Sequence, residues 1–227
     1  MKNLLLIVLF TGITSLSTAQ DTETRSVGSF NGVKAAEGVD VYLKKGDKES
    51  VKVEVTGTSI SNVITEVSGS YLKVHMKDGR YRGNVDVKVY VTYVQVEKLS
   101  ASSAGSLFSE GIIKANSLEI NASSAGTVEI QIDAGEVEVS ASSAGDMELK
   151  GKAKSLTLEV SSAGEVDAYD LEVESVRAEA SSAGSAKLSV SQSLTAHASS
   201  GGSIRYRGNP DKSITDSSSG GSVKKSN

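Results

Sequence analysis

The sequence predicts an all-β fold, a β-helix (β-solenoid) with coils of about 19 residues and an N-terminal β-hairpin cap or irregular first coils. The first observation behind this is a motif. Ser102-Ser103-Ala104-Gly105 returns as Ser123 to Gly126, Ser142 to Gly145, Ser161 to Gly164 and Ser181 to Gly184, then as Ser199-Ser200-Gly201-Gly202 and Ser218-Ser219-Gly220-Gly221. The spacings are 21, 19, 19, 20, 18 and 19 residues. A fixed period of this size marks one supersecondary unit that buries its apolar face only by stacking on its neighbours. The second observation is strict alternation between motifs: Leu118, Ile120, Ala122, Val128, Ile130 and Ile132, then Val137, Val139, Ala141, Met147 and Leu149, then Leu156, Leu158, Val160, Val166 and Ala168. Period two means strands. The third is what is missing, since no copy has helical i, i+3, i+4 spacing or the Leu and Asn framework of a leucine-rich repeat.

The parity of alternation does not break through the motif, because Ser124 and Gly126 fall on the same side as Ala122 and Val128. Small residues let the backbone bend against the core there. This predicts that the second Ser of each motif, Ser103, Ser124, Ser143, Ser162, Ser182 and Ser200, forms an internal hydroxyl ladder, and that the first Ser and the Ala face out. Gly105, Gly126, Gly145, Gly164, Gly184 and Gly202 complete the structural repeat.

In chain order, Met1-Lys2-Asn3, the apolar run Leu4 to Phe10 and the small residues Ser17-Thr18-Ala19 before Gln20 read as a secretory signal over residues 1–20, cleaved near Ala19 or Gln20. The run is too short to span a membrane, and no later run is long enough. Without cysteine the chain carries no disulfides, no thiolate metal sites and no cysteine-linked lipid anchor. Residues 21–29 are polar and read as a flexible lead-in. Residues 30–98 form a β-rich cap or first coils. Within them Val39 to Leu43 and Val51 to Val55 are expected to pair as a hairpin, and Val63 to Val67 and Tyr71 to Met76 as a second one across Ser68-Gly69-Ser70. Residues 99–223 are the repeat β-helix, joined with residues 30–98 in one structural domain, and 224–227 are a tail. Ile214 falls one place out of phase with Leu194, so the last turn is expected to be poorly paired or to act as a cap.

Few aromatics, no Trp, a single Pro and 22 Gly suit thin β-coils. The net charge of −4, mixed in sign, gives no footprint for nucleic acid.

Phe30-Asn31-Gly32-Val33, the strands Val39 to Leu43, Val51 to Val55 and Tyr71 to Val74, the serial small-residue Gly motifs and Ile204-Arg205-Tyr206-Arg207-Gly208-Asn209-Pro210 resemble the head GIN domain family, described as auto-transporter adhesins. The likeness covers about Phe30 to Val223. It implies export from a Bacteroidetes-type bacterium, a mostly β-helical fold and no catalytic residues to carry over. Ser-Ser-Ala-Gly stands where members often have Ser-Gly-Ser-Gly, and Val94 where a Pro is common.

The residues offer little chemistry. His75 and His197 lie far apart, no Ser sits in Gly-x-Ser-x-Gly, and a motif Ser with a copy in every coil argues for structure, because a nucleophile needs one base in one place. Arg80-Tyr81-Arg82 and Arg205-Tyr206-Arg207 read as exposed turns rather than an anion clamp. One outward column, Glu129, Glu148 and Asp167, continued by Lys187 and Arg205, is either a solvated face relieved by Lys150 or a weak divalent-cation site. The expectation is an exported protein, periplasmic, surface-associated or secreted, without catalytic or cofactor residues. It presents flat Ser/Ala and charged ladders to an unknown partner, such as an envelope glycan or a surface protein, with homo-oligomers left open. The alternative is a glycan-active β-helix enzyme, a polysaccharide lyase or hydrolase; an ice- or mineral-lattice binder would want a Thr array that the motif lacks.

Overall fold

The structure is a computed structural model that describes residues 20–226; the expected signal segment, residues 1–20, lies outside the described residues except for Gln20. In chain order the strands are β1 (Asp21–Arg25), β2 (Gly32–Ala35), β3 (Asp40–Lys45), β4 (Ser50–Thr56), β5 (Val63–Ser68), β6 (Tyr71–Met76), β7 (Asp86–Tyr93) and β8 (Lys98–Ala101). There follow β9 (Ser106–Ala122), β10 (Thr127–Ala141), β11 (Asp146–Val160), β12 (Glu165–Ala180), β13 (Ser185–Ala198), β14 (Ser203–Arg207), β15 (Lys212–Ser217) and β16 (Ser222–Lys225). They form a β-solenoid of about seven turns, about 19 residues to the coil.

A straight strand as long as β10 would reach about 50 Å at about 3.3 Å per residue, so each long strand must fold back to close its coil. It does so beside Ala134-Gly135, where the in-register pairing of β10 with β11 skips from Ala134↔Ala153 to Glu136↔Ser155. The half before this bend lies on one face of the solenoid (the A face) and the half after it on the other (the B face). Val128, Ile130 and Ile132 point inward from the first, Val137, Val139 and Ala141 from the second, and all six are buried. The rungs thereby share one continuous apolar core.

The other closure is the Ser-Ser-Ala-Gly corner. Its two central residues have φ of 48° to 62° in all five complete copies and at Ser200 and Ser219. With the bond from the Gly126 N–H to the Ser123 carbonyl (2.9 Å), repeated in every copy, this is a type I′ turn. The internal Ser ladder is therefore corrected: Ser103, Ser124, Ser143, Ser162, Ser182 and Ser200 are exposed, as are the Ala residues beside them. A two-residue loop swings both central side chains outward while restoring the same parity on its far side, so alternation across the motif cannot reveal the excursion. Left-handed backbone costs a non-Gly residue about 1 kcal/mol. Bonds between rungs offset it, since the Ala125 N–H reaches the Ser143 carbonyl (3.1 Å) and the Ser142 N–H the Ala122 carbonyl (3.0 Å).

Glycine closes the corner for a different reason. Its φ is ordinary, but a Cβ on Gly126 would lie 2.4 Å from the Ala101 carbonyl oxygen, and every closing Gly from Gly105 to Gly221 meets the rung before it at 2.2 to 2.8 Å.

The N-terminal rungs are threaded out of order. β2 and β3 flank the corner Ala36-Glu37-Gly38-Val39, where Glu37 (φ 60°) and Gly38 (φ 71°) repeat the left-handed pair. On the A face β3 lies between β7 and β9; on the B face β2 lies between β6 and β8. The rung β2–β3 is thus sandwiched between β6–β7 and β8–β9. The hairpin expected between Val39–Leu43 and Val51–Val55 is overturned: β7 inserts between the two, parallel to β3 and antiparallel to β4. Alternating Val residues define which face a strand buries, not which strand lies beside it. The second hairpin forms as β5 and β6.

Both ends of the stack are blunted. Residues 21–25 are an edge strand, β1 on β4, and not a loose lead-in. Asp21, Glu23 and Arg25 stand opposite the buried Val55, Val53 and Val51, so charged side chains face the end of the core. Arg25 crosses from the A face to the B side of the stack, donating to the carbonyls of Val63 (2.7 Å) and Ile60 (3.0 Å) and to the Thr65 hydroxyl (3.1 Å). At the other end β15 is fully paired with β13, which corrects the expectation of poor pairing, but its phase is inverted. Ser213, Thr215 and Ser217 follow the inward positions of Leu194, Ala196 and Ala198, and Ile214 is 68% exposed. Lys224 lies in β16, so the coils run past the expected tail boundary.

Neighbouring corner positions should respond oppositely to substitution. Ala125→Gly relieves a left-handed residue and is expected to stabilise by about 1 kcal/mol, whereas Gly126→Ala drives a methyl into the rung below and should destabilise by about 2 kcal/mol or more. Urea melts of the two variants decide; the same sign for both would refute the turn assignment. Arg25→Ala removes three charge-assisted bonds that close the N-terminal end, and a loss of about 1–3 kcal/mol is expected in the same assay.

Candidate functional surface

The outward column foreseen in the sequence exists. Glu129 pairs in register with Glu148, Glu148 with Asp167, Asp167 with Lys187 and Lys187 with Arg205. Cations pair two of its carboxylates: Lys150 Nζ is 2.6 Å from Glu148, and Lys187 Nζ bridges Asp167 (2.9 Å) and the neighbouring Glu165 (3.4 Å). Among the described residues no group of three or more His, Cys, Asp or Glu is arranged to hold a metal ion.

Beside this column Asp146 pairs with Glu165. Burial pushes the Asp146 carboxyl above its ordinary range, and the carboxylates of Glu165 and Glu148 push it further, against the opposing Lys187 ammonium. A folded value above the unfolded one means that the folded chain holds the proton more tightly, so this group's contribution falls as pH rises from the unfolded through the folded value. Asp146→Asn is expected to raise Tm at pH 7 and to lose that advantage below about pH 4, under the ordinary Asp value. An equal gain at both pH values would remove ionisation as the cause.

The same column continues toward the N-terminal end as Phe108, Tyr42 and Tyr90, with ring centroids 5.1 and 5.2 Å apart and planes inclined by 24° and 21°. Lys52 Nζ lies 5.5 Å from the Tyr90 centroid. The rings stack face to face along the axis and show solvent their edges, so they brace the first rungs. Sequence reasoning missed this ladder because strands 3, 7 and 9 are neighbours only through the out-of-order threading.

The remaining candidates stay apart. His75 Nδ1 lies 2.8 Å from the Met76 carbonyl and 3.7 Å from Glu37, whereas His197 sits near the far end against Asp216 (3.0 Å). Arg80-Tyr81-Arg82 occupies the loop between β6 and β7, and Tyr81 donates to the Lys77 carbonyl. Arg205-Tyr206-Arg207 ends β14 between β13 and β16 and is therefore strand, not the exposed turn expected, with the Arg207 guanidinium 3.9 Å above the Tyr169 ring. The two triplets are not brought together.

A concave surface lies opposite the Ser-Ser-Ala-Gly corner, where the long strands bend. Ala115, Ala134, Ala153 and Val173 follow one another along its floor. Lys114, Asp133, Lys152 and Glu172 stand on one wall, and Asn116, Lys154 and Glu174 on the other. Two cavities of about 620 and 550 Å³ meet there at Asp133, Ala134 and Lys154, making one axial trough. Rung length varies mainly ahead of the bend, on the A face: the 21-residue spacing comes from two extra residues between Phe108 and Ile112, the 20-residue one from an extra residue between Asp167 and Leu171, and the 18-residue one from shifts between Ala168 and Ser193.

A closed stack of rungs with a repeated outward surface defines this chain as a β-solenoid. It belongs to the head GIN domain family: residues 29–210 match the family described as "Putative auto-transporter adhesin, head GIN domain". Among solved structures it is similar to one from Bacteroides fragilis described as "a putative adhesin", with 21% identity and a TM-score of 0.84 over 92% of this chain and 98% of that one. Two from Parabacteroides distasonis are also similar. One is described as a "putative adhesin" (19% identity, TM-score 0.72, 92% and 97% covered) and one as a "Putative lipid binding protein" (20%, 0.69, 92% and 97%). At these identities the likeness speaks for the fold. No curated protein matches the chain.

Proposed function

We propose that the chain is an exported, non-enzymatic adhesion protein that works by presentation, offering rigid, repeated side-chain columns to an envelope or surface partner. The observation that carries this reading is the exposed corner, where Ser and Ala side chains recur at the same two positions on successive rungs, with backbone bonds tying each turn to the next. The adhesin description of the family supports it and suggests an exported or surface protein. Among the described residues no helix is long and apolar enough to cross a membrane. Against a glycan-cleaving role, Glu148 and Asp167 are held by lysines and stand in line with Glu129, alike in kind, whereas hydrolysis wants two carboxylates with different roles flanking one bond.

The mature chain, incubated with isolated bacterial envelope and with acidic and neutral polysaccharides, is expected to adhere without producing new reducing ends or unsaturated products. Turnover that disappears in the Glu129→Ala, Glu148→Ala, Asp167→Ala variant would overturn the reading, as would failure to adhere to any envelope material.

A further inference from the structure

We infer that the axial trough opposite the corner is the site where this surface takes its partner, and that the partner there is a linear anionic glycan, a chain carrying carboxylate or sulfate groups; the inference rests on the adhesion reading above. The first argument is shape. The trough runs along the axis over consecutive rungs, so a polymer lying in it meets the same floor at each step of about 4.8 Å.

The second argument is charge. In a chain of net charge −4, the section nearest the N-terminal end gathers Lys45, Lys114 and Lys154 around one carboxylate, Asp133. That carboxylate already has a cation, Lys152 Nζ at 3.5 Å. Among the described residues none of Lys45, Lys114 and Lys154 has an ion-pair partner of its own. Rungs containing β3, β9, β10 and β11 follow one another, so these ammonium groups are spread over three steps, about 14 Å. Spaced cations suit a polyanion better than a single small anion.

The third argument is the surface between the charges. The half-buried Ala115 offers a methyl against which the C–H face of a sugar ring can rest, and the amides of Gln95 and Asn116 offer donors and acceptors to hydroxyls. A peptide would gain most by adding a strand, and here the backbone of each rung is already paired on both sides.

The test is binding of sodium polygalacturonate to the mature chain, with dextran and poly-L-glutamate as comparison probes. Polygalacturonate is expected to bind, dextran at least tenfold more weakly, and binding should weaken as salt is raised. The variant Lys45→Gln, Lys114→Gln, Lys154→Gln should lose at least tenfold in affinity. The variant Lys77→Gln, Lys212→Gln, Lys224→Gln, which removes the same charge at positions outside the trough lining, should change it less than twofold. All six lysines are exposed, and an unchanged circular dichroism spectrum and Tm show that the variants fold. Equal losses in both variants would reveal diffuse attraction and overturn the inference; poly-L-glutamate bound as tightly through the same three lysines would assign the trough to acidic peptides and overturn it equally. Adherence to envelope that neither variant disturbs would remove the trough and leave the adhesion reading standing. Lysine-dependent polygalacturonate binding without envelope adherence would do the reverse.

Discussion

At the corner the backbone of one rung passes so close to the next that no side chain fits between them. A methyl on any closing glycine would stand 2.2 to 2.8 Å from the preceding rung. Everything else follows from that contact: the N–H groups of the turn reach the rung above, the inward positions fall into register, and small interior residues such as Ala122, Ala141 and Ala180 stack beside the corner while Leu and Ile fill the middle. The left-handed Ser-Ala pair is the cost of holding this geometry, repeated at every turn because the next turn stabilises it.

Much of this was legible in the residues. The period, the strands, the buried set and the outward register of Glu129, Glu148 and Asp167 all follow from counting, because a parallel stack preserves position from rung to rung. Three things were hidden, each for a physical reason. The outward swing of Ser124 and its equivalents leaves the flanking parity unchanged. The partner of β4 depends on a strand some thirty residues later in the chain, to which its Val alternation is blind. The trough is formed by residues such as Lys114 and Lys154 that lie outside the motif and gain meaning only when the strands bend.

The two ends differ from the middle in kind. Interior rungs are interchangeable, whereas β1 turns Asp21, Glu23 and Arg25 toward the end of the core and β15 follows the inward column with Ser213, Thr215 and Ser217. Inward charge and polarity at the terminal strands discourage another sheet from continuing the stack. Regularity, which would otherwise invite endless end-to-end growth, is interrupted where it would be dangerous.

The threading of the first rungs also orders events in time. From β10 onward each rung needs only its predecessor, and such arrays fold by propagation from any formed nucleus. The rung β2–β3 is different, because both of its neighbours, β6–β7 and β8–β9, come from chain that follows it. Its pairings close long loops before they return any stability, which makes them the slow contacts of the molecule. In a chain delivered N-terminus first, β2–β3 gains its first neighbour only when β6–β7 has appeared and its second only with β8–β9. When a full-length chain refolds from denaturant, the regular coils, whose pairings close loops of about 19 residues, are expected to form before the rung β2–β3.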